Sequence, residues 1–174
     1  MEFSPFVYEF CRLYVATILA IAAFGKALNF FTFQNNLTES FSVSARFTKP
    51  LASLLVSLEL ILAVILFLNT PLVKVAMYVA MLMFIGFTLV LGYYLIQDKL
   101  VRCNCFGQSN DKVTYLDLFR NGLIIVAGII YLSGPGFGIT LPPMVLLAGA
   151  ACIATTLTVH LKEIVLLSKR LKEN

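Results

Sequence analysis

Five apolar runs, spanning 6–31, 51–68, 72–96, 115–132 and 141–160, occupy most of the 174-residue sequence. Each is close to the roughly 20 residues that a helix needs to cross the hydrocarbon core of a bilayer. No water reaches the backbone amides there, so a crossing segment must satisfy them internally as a helix or within a closed barrel. No strand-length alternation of apolar and polar residues appears in the runs, which argues against the barrel. The expected fold class is therefore all-α, a polytopic membrane helix bundle with four core transmembrane helices and a fifth formed by the last run. Hydrophobic residues make up 60% of the chain and charged ones 13%, against roughly 45–50% and about 25% in soluble domains. A water-soluble fold has no means of hiding that much apolar surface. The runs leave no length for a second domain, so residues 1–174 are expected to form a single integral membrane domain.

The breaks between runs are chemically sensible. Asn69-Thr70-Pro71 stops one helix and starts the next, Gly134-Pro135-Gly136-Phe137-Gly138 cannot be helical, and Pro142 and Pro143 suit the opening turn of the last run. Beyond it, Leu161–Asn174 is amphipathic and carries Lys162, Lys169, Arg170 and Lys172, so it either extends the last helix or lies along the interface. Gly86, Gly92, Gly122, Gly128 and Gly149 fit close helix packing, where small side chains let backbones approach. Ala20-Ile21-Ala22 has the small-x-small form of a signal-peptide cleavage site. Its n-region, however, carries Glu2 and Glu9 and no lysine, and apolar residues continue past it, so the first run reads as a retained helix. The formal net charge of +4 comes from scattered Lys and Arg at segment ends rather than from a basic block, which argues against a nucleic-acid partner.

The most informative feature is the polar stretch 97–114 between the third and fourth runs, where Arg102-Cys103-Asn104-Cys105-Phe106-Gly107 stands. Two cysteines separated by one residue can close a disulfide, but in a small ring that departs from relaxed geometry. Strain makes a disulfide easier to reduce and therefore more oxidising. Arg102, with Lys99 and Lys112 nearby, favours thiolate over thiol, and thiolate is the attacking species in exchange. Gly107 permits a sharp turn after Phe106. On spacing alone, a pair of idle loop thiols or a structural bridge stays open beside the redox reading. A zinc site is not expected, because zinc wants four ligands and the only histidine is His160. Cys11 and Cys152 fall inside apolar runs and read as packing residues.

If the runs cross alternately, one membrane face receives the end of the first, the start of the second, the end of the third and the start of the fourth, together with the cysteine loop. Lys26, Glu59, Asp117, Arg120 and Asn121 all lie toward that side. Charges within spanning segments usually face the bundle interior and pair with one another. A Lys26–Glu59 or an Arg120–Glu59 pair beneath the loop is expected. The bland alternative is that Lys26 snorkels to the interface and Arg120 meets lipid phosphate.

Arg12 opening the first helix, Phe24-Gly25-Lys26 closing it, Glu59 in the second, Cys103-Asn104-Cys105-Phe106-Gly107 before the fourth and Arg120-Asn121 inside it form a set. Over about 12–132 this set resembles the MauE/DoxX-like redox-associated membrane proteins. The cysteine-x-cysteine-Phe-Gly loop is the specific part of the likeness, and Asn104 stands where glycine is common in the family. The resemblance implies a thiol–disulfide oxidoreductase of the bacterial plasma membrane, with Cys103 and Cys105 as the redox pair on the extracytoplasmic face. It also implies a thioredoxin-like partner or a cysteine-containing extracytoplasmic substrate. Lys26, Glu59, Arg120 and Asn121 would be supporting residues.

The resulting expectation is exchange through a mixed disulfide, followed by reset of the pair by an electron carrier, a quinone seated among the polar residues near Glu59. Two rivals belong to other classes. One is a carrier of mercury or copper that passes the ion between thiolates, which needs a second thiol relay within the helices. The other is a non-catalytic anchor for a thioredoxin-like protein. Charge pulls against the outward orientation: Arg46, Lys49, Lys99, Arg102 and Lys112 lie on the loop's face, with little beyond Arg12 and Lys74 opposite. The positive-inside rule would place such a face in the cytoplasm.

Overall fold

Apolar length and internal hydrogen bonding produce six helices in the computed structural model: α1 (Pro5–Leu28), α2 (Phe30–Phe41), α3 (Ala45–Leu68), α4 (Val73–Ile96), α5 (Tyr115–Leu132) and α6 (Leu141–Val159). It describes residues 5–41, 44–68, 70–97, 114–134, 141–161 and 164–165, with backbone alone at 39–41, 45 and 141–144. Among the described residues there is no strand. Four helices, Pro5–Leu28, Arg46–Leu68, Val73–Ile96 and Tyr115–Leu132, are long and apolar enough to cross a membrane, and Val145–Val159 is a shorter apolar helix. The chain is thus a multi-pass, all-helical membrane protein, with four core crossings and a further apolar helix as the sequence implied.

Helix α1 is the hub. It is buried over most of its length, packs on α3, α5 and α6 and touches α2, while α4 packs on α5 and α3. Leu13, Ile18 and Leu19 of α1 meet Leu62 and Leu66 of α3, Met77 of α4 and Ile124 of α5 in one core. Outward faces carry exposed leucine, isoleucine and valine, among them Leu60, Leu82, Leu89, Val126 and Ile153. In lipid these side chains need no cover, so packing rather than apolar burial holds the helices together. At Gly128 of α5 an added Cβ would meet the Met81 side chain of α4, which would have to shift to admit it.

Two boundaries differ from the sequence reading. The first run does not continue to residue 31: α1 ends at Leu28, and after a break at Asn29 the chain forms α2. Phe30, Phe33 and Leu37 share one face of α2, and Phe33 and Leu37 pack on Ala52 of α3. Gln34-Asn35-Asn36 ends the apolar run without ending the helical spacing. The second helix starts at Ala45 rather than at 51, because Pro50 is accommodated inside α3. Near that start, the Thr48 hydroxyl donates to the Ser44 carbonyl at 3.0 Å and is linked to the Thr38 hydroxyl of α2 at 3.1 Å.

The start of α5 follows from its cap. Thr114 is extended, its N–H donates to Asp117 Oδ2 at 2.8 Å, and the Asp117 N–H donates to the Thr114 carbonyl at 3.0 Å. This reciprocal arrangement fixes where the chain returns from the 98–113 segment into the bundle.

Candidate functional site

Lys26 lies in the last turn of α1, where a cation suits the negative end of the helix dipole. Its ammonium donates to Glu59 Oε1 of α3 in an ion pair, with the two side chains 3% and 2% exposed. The Phe33 ring of α2 lies 5.6 Å from Lys26 Nζ and the Phe87 ring of α4 lies 5.5 Å from it, both within cation–π range. Four helices therefore converge on one buried charge. Of the two pairings left open by the sequence, the structure selects Lys26–Glu59. Burial at 3% excludes a snorkelling Lys26.

This pair is not chemically closed. Among the described residues, Glu59 Oε2 has no hydrogen-bond partner, and neither has Asn36 Nδ2, one turn beyond Phe33 on the buried face of α2. Buried polar atoms are almost always partnered, so the open Glu59 oxygen marks unused hydrogen-bonding capacity in the pair. Alongside runs an open apolar cavity of about 210 Å³ lined by Ala23, Phe24, Ala27 and Leu28 of α1 and Val56 and Leu60 of α3. Ala23 and Ala27 stand three residues before and one after Lys26, and Val56 and Leu60 stand likewise around Glu59. The cavity thus follows the α1–α3 seam beside the pair.

A second buried pair lies toward the other end of α1. Arg12 Nε donates to Glu9 Oε2 at 2.8 Å, and a second guanidinium nitrogen lies 2.6 Å from the same oxygen. Its remaining nitrogen donates to the carbonyl of Leu66, with the Phe67 carbonyl at 3.5 Å. These carbonyls belong to the last turn of α3, which has no intrahelical donor for them. Sequence reasoning placed Arg12 but missed Glu9 as its partner, although the i, i+3 spacing was visible. The two carbonyls had no sequence signal.

Arg120 pairs with Asp117 of its own helix at 3.4 Å rather than with Glu59, and Asn121 is buried on α5. Cys11 is buried in the α1 core, as expected of a packing residue. Cys152 is not: it is exposed on α6, outside the packed interior of the bundle. Among the described residues, no group of three His, Cys, Asp or Glu side chains stands close enough to hold a metal. Arg102, Cys103, Asn104, Cys105, Phe106 and Gly107 lie outside the described residues, as do Lys99, Lys112 and the basic tail residues. Their anchors are described. The segment leaves after Gln97 and returns at Thr114, and Phe87 lies ten residues before Gln97, about 15 Å along a helix.

The family model described as methylamine utilisation protein MauE matches residues 4–134, which include both buried pairs, the cysteine loop and α1 through α5. No curated protein and no solved structure matches the chain significantly.

Proposed function

This chain belongs to the MauE family of multi-pass membrane proteins, and on that premise we propose that it is a membrane thiol–disulfide oxidoreductase whose reactive pair is Cys103 and Cys105. The observation that carries the reading is the Cys103-Asn104-Cys105-Phe106-Gly107 run between α4 and α5, two helices long and apolar enough to cross a membrane. In the oxidising direction a substrate thiolate attacks the Cys103–Cys105 disulfide and forms a mixed disulfide. The second substrate thiol resolves it, so that the substrate leaves with a disulfide and the loop keeps two thiols. Arg102 favours the thiolate form of the adjacent Cys103. The substrate is a thioredoxin-like protein or a cysteine-containing extracytoplasmic protein, and the loop faces outward from a bacterial plasma membrane. Two electrons and two protons then pass to a quinone-class carrier, which restores the disulfide. Lys26, Glu59, Arg120 and Asn121 support the loop from the bundle.

Cys103→Ser and Cys105→Ser, each alone, are expected to abolish disulfide exchange with a reduced reporter protein in membranes. Unchanged oxidation of the reporter by both single variants would remove the proposal. In the same cells, labelling Cys103 after reduction with a membrane-impermeant thiol reagent reads the orientation. Labelling is expected from outside, and protection from it would place the loop in the cytoplasm, on the side favoured by exposed Arg46 and Lys49.

A further inference from the structure

Resting on the thiol–disulfide reading, we infer that the seam of α1, α2 and α3 around Lys26 and Glu59 is the binding seat of a quinone that reaches it sideways from the bilayer. The hydrogen-bonding groups match that ligand in both redox forms. The Lys26 ammonium has three N–H donors and spends one on Glu59 Oε1. The others can donate to a quinone carbonyl. Among the described residues Glu59 Oε2 has no donor, and it can accept from the hydroxyl that the carbonyl becomes on reduction. The reaction balances: two thiols lose two protons and two electrons as the S–S bond forms, and the quinone takes up both as quinol.

Access points to a lipid-soluble ligand rather than a water-soluble one. The cavity beside the pair is lined by apolar side chains throughout, and Phe24, Ala27, Leu28 and Leu60 on its rim are exposed on the outer surface of the bundle. An apolar tail can lie there; a hydrophilic molecule finds no polar path. Val56 belongs both to this lining and to the contacts that seat Phe33 and Leu37 of α2 on α3. The cavity and the buried face of α2 that carries Asn36 therefore meet at Val56. The Phe33 and Phe87 rings bound the pair on two further sides and keep its surroundings apolar.

The test uses the full-length protein in lipid nanodiscs, with decylubiquinone as the probe and saturable binding as the readout. Glu59→Gln is expected to weaken binding of the reduced probe, decylubiquinol, whose hydroxyl Glu59 accepts, about tenfold, the size of one lost hydrogen bond at 1.4 kcal/mol per decade. Ala27→Phe fills the cavity from an exposed rim position, so it is expected to weaken binding to a similar degree while leaving the thermal unfolding of the free protein unchanged. The Cys103→Ser/Cys105→Ser double variant is expected to bind as tightly as the parent. Absence of saturable binding to the parent, or parental affinity in both Glu59→Gln and Ala27→Phe, overturns the inference. Binding lost in both variants supports the seat even where the parent's thiols fail to reduce the probe, an outcome that removes the thiol–disulfide reading alone.

Discussion

Helix α1 carries two buried ion pairs, Glu9–Arg12 near its start and Lys26–Glu59 in its last turn, and they are built differently. The first is closed: the partners lie three residues apart on one helix, and the guanidinium also serves carbonyls at the end of α3. The second joins two helices, leaves one carboxylate oxygen without a partner among the described residues and runs beside an apolar cavity. A closed pair that satisfies orphan carbonyls acts as a staple between helices. An open one keeps hydrogen-bonding capacity that folding alone does not require, which is why the proposed seat is placed at Lys26–Glu59 and not at Arg12.

The contrast can be broken by substitution. Arg12→Met is expected to have the largest effect, because it strands the buried Glu9 carboxylate and the Leu66 carbonyl together. Removing one partner of a buried pair costs about 3–5 kcal/mol, to be read as a large drop in thermal midpoint and in folded yield; an unchanged midpoint would contradict the staple. Replacing both partners, Glu9→Leu/Arg12→Met, removes the stranded charge and leaves the α3 carbonyls unserved, an expected loss of about 1–3 kcal/mol. The smallest effect is expected from Lys26→Met/Glu59→Leu. Among the described residues no backbone group bonds to that pair, and apolar replacement of a buried ion pair is often neutral. This double variant should unfold near the parental midpoint yet fail to bind the quinone probe. A midpoint drop as large as that of Arg12→Met would make the two pairs equivalent.

The bundle was legible because length and hydropathy are local signals: a run of about 20 apolar residues has few alternatives. The Lys26–Glu59 pair was legible for a related reason, since charges inside spans seek partners. What lay around it was not. Phe33 and Phe87 look like any phenylalanine of an apolar run, and only the fold turns their rings onto Lys26. Helix α2 escaped notice because Gln34, Asn35 and Asn36 ended the apolar run, although Phe30, Phe33 and Leu37 kept helical spacing. The start of α3 lay outside the apolar run because Ala45–Pro50 carries Arg46, Thr48 and Lys49, and Pro50 is carried inside the helix. Cys152 sits in an apolar run whichever way it faces, so its outward orientation awaited the packing of α6.

The central claim is that Cys103 and Cys105 form and break a bond reversibly. Differential alkylation of the purified protein across a series of reduced-to-oxidised glutathione ratios, with each cysteine quantified by mass spectrometry, tests it most directly. Both thiols are expected to be alkylated under reducing conditions and to become protected together as the ratio falls, with full recovery on return. Alkylation of both at every ratio, or loss of one without the other, would contradict it.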